Sequence, residues 1–315
     1  MNKKKFKKNN GMTLVTVIIT IAIMLILTVV TITAVQSNKI ISHTQNATKE
    51  WETFQKEENK ILENYLTKIE LKSQEENEKD NREVISTEKS YVGYYADIDG
   101  NGTVDGIIYA DLAIASSGKW GTNGNGNYKY DKEANLDSYY IEEKIYKEND
   151  GFKENQVIAP IDKEEKNDRF YVMALKDFTT NNYTKFYWYY NAYGKMNNYS
   201  QTTSADFGKG KSNTATMMNT VYGNGLIDKD LWNNINAEVS KGWFVPSSGE
   251  WSAFALAAQE KGMQKSNYED YGLNDYYWTS SQYDTGTTWR ANFYKGYINS
   301  NSVGNEYYIR LSTTF

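Results

Sequence analysis

Hydrophobic and polar positions divide the chain abruptly near its start. Lys3, Lys4, Lys5, Lys7 and Lys8 crowd the first ten residues, and no charge follows until Lys39. Within that gap, residues 12–35 are built almost wholly from apolar side chains and threonine. At about 1.5 Å per residue such a run reaches about 36 Å, more than the roughly 30 Å of a bilayer core, so the pattern predicts a transmembrane helix over 12–35. The lysine cluster leaves its start in the cytoplasm by the positive-inside rule and sends the rest of the chain outside. Thr13, Thr16, Thr20, Thr28 and Thr31 share one side of this helix. That stripe suits helix–helix contact in lipid, or hydroxyls that each bond a carbonyl one turn back. Farther on, Trp51, Phe54, Ile61, Leu62, Tyr65, Leu66 and Ile69 recur mostly at three- and four-residue spacings among Glu and Lys. This predicts an amphipathic stalk helix over 36–72, followed by a charged, polar linker over 73–90.

From Tyr91 the period changes to that of strands. YVGYYADIDGNGTVDGIIYAD, residues 91–111, reads as strand, turn and strand. The Gly/Asn-rich stretch Ser116–Tyr130 reads as a surface loop, and the aromatic runs between Arg169 and Gly194 as two buried strands. Ser247 and Glu250 have the spacing of a capping box opening a short helix that carries Trp251, Phe254, Ala255 and Ala258. Three short strands follow, at Tyr276–Ser281, Thr288–Phe293 and Tyr307–Leu311. The expected fold class is therefore α+β: a long N-terminal transmembrane and stalk helix, then a strand-rich head over 91–315.

Composition narrows the chemistry. A net charge of -5, well mixed along 315 residues, argues against nucleic acid as a partner. Cysteine is absent, which removes disulfides, thiolate nucleophiles and Cys-ligated zinc. The single histidine, His43, lies far from the head in sequence, so no Ser-His pair forms in the distal half. No catalytic residue is assigned. The 27 tyrosines, with abundant Asn and Ser, suit either a recognition surface or a β-rich domain that uses aromatics in its strands.

One turn has a candidate cation site. Asp97, Asp99, Asn101 and Asp105, with Gly102 at the bend and Thr103 offering its carbonyl, alternate as the oxygen ligands of a calcium loop do. The twelfth position, where an EF-hand has Glu, is Ile108, and the flanks read as strands. Calcium and an Asx-rich hairpin turn that needs no metal both fit this pattern.

Two family resemblances rest on particular residues. Gly11-Met12-Thr13-Leu14-Val15 after the lysines resembles the type IV prepilin signature. The resemblance implies a leader over 1–11 cut by a prepilin peptidase between Gly11 and Met12, N-methylation of Met12, and other pilin subunits as partners. Thr16 stands where major pilins carry Glu, which points to a minor pilin, a pseudopilin or a plain anchor. Near the other end, GWFVPSSGEW, YYWTSSQY, the Trp289-x-Ala291-x-Phe293 pattern and the closing IRL are similar to C-type-lectin-like domains related in fold to the formylglycine-generating enzyme. That likeness implies such a region over about 160–315, and the catalytic cysteines of that enzyme have no counterpart here.

Together these features resemble the variable proteins of diversity-generating retroelements. The resemblance implies a variable region over 278–311, with Trp278, Ser280, Ser281, Trp289, Ala291, Phe293, Gly296, Ile309 and Arg310 as framework. Tyr283, Asp284, Thr285, Arg290, Asn292, Tyr294, Tyr297, Asn299, Asn301, Val303, Asn305 and Tyr307 would be the displayed, ligand-binding set. The expectation is a membrane-tethered or pilus-associated protein of the bacterial cell envelope, its head outside the cytoplasmic membrane, binding an external protein, glycan or cell surface. A structural minor pilin with a fixed head is the alternative, and an enzyme using carboxylates alone a distant one.

Overall fold

The computed structural model describes residues 14–30, 40–80, 82–120, 127–130, 138–148, 151–162, 168–189, 203–221 and 229–315. The chain divides into two compact units, Met1–Asn77 and Glu78–Phe315.

The first unit carries an apolar helix α1, Leu14–Val30, and the greater part of a charged helix α2, Ile40–Asp80. The 17 residues of α1 rise about 26 Å, short of the roughly 30 Å of hydrocarbon a bilayer presents. Among the described residues, no helix is long and apolar enough to cross a membrane. This overturns the transmembrane helix over 12–35 and the single-pass membrane location. The α+β class with a long transmembrane stalk gives way to a mixed α and β chain rich in strands. The Thr20 hydroxyl donates to the Thr16 carbonyl one turn back, which satisfies it without a neighbouring helix. Helix α2 continues to Asp80, into the segment expected as linker. Its aromatic and aliphatic stripe, Trp51 to Ile69, is exposed.

The second unit opens with β1 (Tyr95–Ala96), β2 (Gly106–Asp111), β3 (Ser116–Lys119), β4 (Asn127–Tyr130), β5 (Tyr139–Lys147), β6 (Glu154–Pro160), β7 (Phe170–Ala174) and β8 (Phe186–Tyr187). Helices α3 (Gly210–Val221), α4 (Leu231–Asn234), α5 (Asn236–Ser240) and α6 (Ser248–Glu260) follow. The chain then forms β9 (Tyr276–Gln282), β10 (Thr287–Asn292), β11 (Tyr297–Ser302), β12 (Glu306–Tyr307) and β13 (Ser312–Thr314). The main sheet has the order β13-β7-β2-β1-β6-β5, and β11-β10-β9 make a second sheet. The stretch expected as a surface loop at 116–130 contains the β3–β4 hairpin, because Tyr128 and Tyr130 stack beside Phe207.

Helix α6 touches β2, β3, β4, β9 and β10 and so lies against strands of both sheets. It starts as the sequence requires. Ser247 Oγ accepts the Glu250 N–H, and the Glu250 carboxylate accepts the Ser247 N–H at 2.6 Å, a complete capping box. A Cβ on Gly249 would meet the Phe207 nitrogen at 2.3 Å, so only glycine allows the first turn this close an approach. Trp251 follows, with ring contacts to Phe254, Tyr277 and Phe293.

Four fully buried tryptophans tie the C-terminal half together. Trp278 Nε1 donates to Phe186 O at 2.8 Å, Trp188 Nε1 to Thr279 O at 2.7 Å, Trp232 Nε1 to Trp188 O at 2.8 Å, and Trp251 Nε1 to Trp278 O at 3.2 Å. Each indole therefore buries a large apolar surface and spends its one donor on a main-chain carbonyl that lacks water. Replacing Trp278 with Ala is expected to cost roughly 3 to 5 kcal/mol of unfolding free energy, measured by urea denaturation, because it opens a cavity and removes the indole donor from the Phe186 carbonyl.

Candidate ligand-binding face

The β9–β10–β11 sheet sets the geometry of the expected ligand face. Strand β10 pairs antiparallel with both neighbours, Arg290 lying opposite Asn299 of β11 and Trp278 of β9. A register irregularity against β9 falls between Thr288 and Arg290. It breaks the strict inward-outward alternation: Thr288 is buried, while Trp289, expected as core, is only half-buried and meets the exposed Tyr283 ring edge-on at 4.7 Å. The other framework positions sit where expected, with Trp278, Ser280, Ser281, Ala291, Phe293, Ile309 and Arg310 buried. Gly296 has φ +73° at the β10–β11 turn, a conformation glycine adopts without strain.

The displayed set divides into three groups. Tyr283, Asp284, Thr285, Tyr294 and Asn305 are exposed. Asp284 Oδ1 accepts the Gly286 and Thr287 N–H groups, each at 2.8 Å, and the Gly286 bond in particular holds this carboxyl below its usual range. Arg290, Tyr297, Asn299, Asn301 and Tyr307 are half-buried. Asn292 and Val303 are buried, against expectation. Asn292 Oδ1 accepts the Lys295 N–H at 2.9 Å and so holds the turn, and Val303 joins the core formed with Trp278 and Ile309.

At the centre lies Arg290. Its guanidinium rests 4.3 Å from the Tyr276 ring centre and 4.8 Å from that of Tyr307. Nε donates to Asn299 Oδ1 at 3.3 Å, and Nη1 to the Tyr307 hydroxyl. Asn301 Nδ2 donates to the same hydroxyl at 2.9 Å, and Asn305 Nδ2 donates to Asn301 Oδ1 at 2.8 Å. Burial raises the Tyr307 phenol above its ordinary pKa although Arg290 pulls the other way. The strand YINSNS that carries Asn299 and Asn301 was not expected, since its composition is that of a loop and only pairing with β10 makes it a strand.

The β1–β2 turn is the second candidate. Carboxylate oxygens of Asp97, Asp99 and Asp105 come within 4.8 Å of one another. Main-chain N–H groups already reach them: Asn101 N–H donates to both Asp97 and Asp99 at 3.1 Å, Gly102 N–H to Asp97 at 2.6 Å, and Ile98 N–H to Asp105 at 2.9 Å. Thr103 N–H donates to Asn101 Oδ1 at 2.7 Å. Sequence reasoning missed two residues from β5. Glu142 acts on Asp97, whose carboxyl is raised by burial first and by Glu142 in addition. Lys144 Nζ donates to Gly102 O at 2.9 Å and pairs with Glu142 at 2.6 Å, bringing a cation to the turn. Local spacing carries no sign of residues brought in by the β5–β6–β1 pairing. Gly11 and Met12 lie outside the described residues.

No family model matches the chain, and neither a curated protein nor a solved structure matches it.

Two buried carboxyls under this part of the fold set a pH dependence. Burial pushes Glu250 up to about 7, and Asp230, which caps α4 through the Trp232 and Asn233 N–H groups, up to about 6. Unfolded carboxyls titrate near 4, so the folded state holds these protons more tightly. Their contribution to stability is complete below about pH 4 and is lost as pH rises through 6 and 7. Unfolding free energy is expected to rise by on the order of 3 kcal/mol between pH 8 and pH 5, with the slope above pH 6 largely removed by Glu250→Gln, as followed by urea denaturation at each pH.

Proposed function

We propose that this chain is a non-enzymatic binding protein that engages a protein or glycan ligand through the face formed by β10, β11 and the residues up to Tyr307. The observation that carries this reading is the single network joining Arg290, Asn299, Asn301 and Tyr307. These residues are half-buried, rich in tyrosine and amide, and flanked by the exposed Tyr283 and Tyr294. Such residues give large contact area with little entropy lost on ordering. The resemblance of the C-terminal motifs to C-type-lectin-like variable proteins supports the same reading, with the buried positions as framework.

The test is a screen of the full chain against immobilised glycans and a displayed peptide library. Tyr283→Ala and Tyr294→Ala, about half exposed each, should change stability by less than about 0.5 kcal/mol while weakening capture of whatever the wild type binds. Capture that survives every substitution on this face would move the binding site elsewhere.

Calcium at the β1–β2 turn belongs to the same proposal. It is favoured by the gathering of three carboxylates with Glu142 close to Asp97, a donor set of oxygens that suits a hard cation. Binding to the folded state alone would raise the melting temperature in millimolar calcium, and Asp99→Asn should remove the rise. A melting temperature indifferent to calcium and to chelator would leave the turn held by its N–H donors and Lys144.

A further inference from the structure

Arg290 differs from the other arginines set into the head's core. Arg169 grips Asp111 with Nε at 2.7 Å and Nη2 at 3.0 Å, both side chains fully buried, and Arg310 Nε meets Asp177 at 2.8 Å. Among the described residues, no carboxylate lies within ion-pair reach of Arg290. Its partners are a neutral amide and a neutral phenol, with the Tyr276 and Tyr307 ring centres 4.3 and 4.8 Å away. A half-buried cation has lost part of its hydration, and neutral partners return only part of that loss.

The donor count leads the same way. A guanidinium has five N–H donors, and Nε and Nη1 spend one each here. The Tyr307 oxygen accepts from both Arg290 and Asn301 and also bonds the Asn305 side chain, so it is held firmly beside the guanidinium. Spare donors of Arg290 therefore lie beside the Tyr307 hydroxyl with no carboxylate among the described residues to take them. A planar carboxylate supplies two acceptor oxygens and the missing charge, in the geometry that a guanidinium fork matches.

We infer that Arg290 and Tyr307 form the anchor point for an acidic side chain, Asp or Glu, of a protein partner. The inference rests on the binding reading above and names the chemistry that this face selects. A protein is favoured over an acidic saccharide because Arg and Tyr, here Arg290 with Tyr276 and Tyr307, are among the residues that dominate protein–protein hot spots. The aromatic and cationic centre of Arg290, Tyr276 and Tyr307 is rimmed by Asn299, Asn301 and Asn305, amides able to pair with a partner's main chain.

The test uses the full chain and three probes: a capped hexaglutamate peptide, the matching hexaglutamine peptide, and hexagalacturonate, each titrated at low and at physiological salt. Hexaglutamate should bind, more weakly as salt rises, and hexaglutamine should not. Arg290→Gln removes the cation. Asn299→Asp keeps the acceptor beside Arg290 Nε but adds an internal carboxylate that competes for the guanidinium. Each should weaken hexaglutamate binding by about tenfold or more, and Asn299→Asp should do so with a melting temperature no lower than wild type, which separates lost recognition from lost folding. Equal binding by wild type and both variants, or no binding of hexaglutamate at all, would overturn the inference. Tighter, Arg290-dependent binding of hexagalacturonate would overturn the protein source in favour of an acidic saccharide. A neutral ligand from the screen whose capture needs Tyr294 but not Arg290 would overturn the acidic anchor and leave the binding face standing.

Discussion

Four indole N–H groups, each buried and each donating to a main-chain carbonyl, hold the C-terminal half of this protein in register. No disulfide is possible without cysteine, and β8 contributes only two residues to a ladder. What fixes the Phe186–Trp188 segment is the exchange with β9: Trp278 reaches back to the Phe186 carbonyl while Trp188 reaches forward to that of Thr279. Leaving any of these carbonyls dry and unpaired would cost about 1 to 3 kcal/mol on top of the lost packing. Strand β9 is thereby held, β10 pairs with it, and β11 pairs with β10.

The proposed face inherits its shape from that chain of dependence. Ala291 and Phe293 turn into the aromatic core with Trp251 and Tyr277, which sends Arg290 to the opposite side of β10 beside Asn299. The irregularity after Thr288 then lifts Trp289 partly out of the core, where Tyr283 covers it. Two polar or small positions were drawn inward for separate reasons, Asn292 to hold the turn at Gly296 and Val303 to fill the space beside Trp278 and Ile309.

Charge is handled differently at different depths. Asp111 and Arg169 are buried as a closed pair, since either alone in the core would carry a large desolvation cost. Glu250 is buried with no salt-bridge partner among the described residues, and burial pushes its carboxyl up to about 7 although the Ser247 and Gly210 N–H groups reach its oxygens. Arg290, at intermediate depth, is shielded by two rings and left with donors to spare. The β1–β2 turn gathers acidic oxygens around main-chain N–H groups and meets Lys144 from β5.

The sequence by itself determined the features that rest on near neighbours. The capping box of Ser247 and Glu250, the strand-turn-strand at 91–111, the strands from Tyr276 and Thr288, and the inward positions Trp278, Ala291, Phe293 and Ile309 follow from spacing that the local backbone period makes physical. Tertiary structure decided the rest. The apolar run at the start reads as a membrane span by composition, but a span is a length, and among the described residues no helix is long and apolar enough to make one. YINSNS becomes a strand because β10 offers it a ladder, and Trp289 is only partly buried at the edge of the core where pairing with β9 slips by two residues. Glu142 and Lys144 reach the acidic turn across more than thirty positions of sequence, and Tyr307 reaches Arg290 across 17, so their meeting depends on which strands pair and in which register, a property of the assembled sheets that no local window contains.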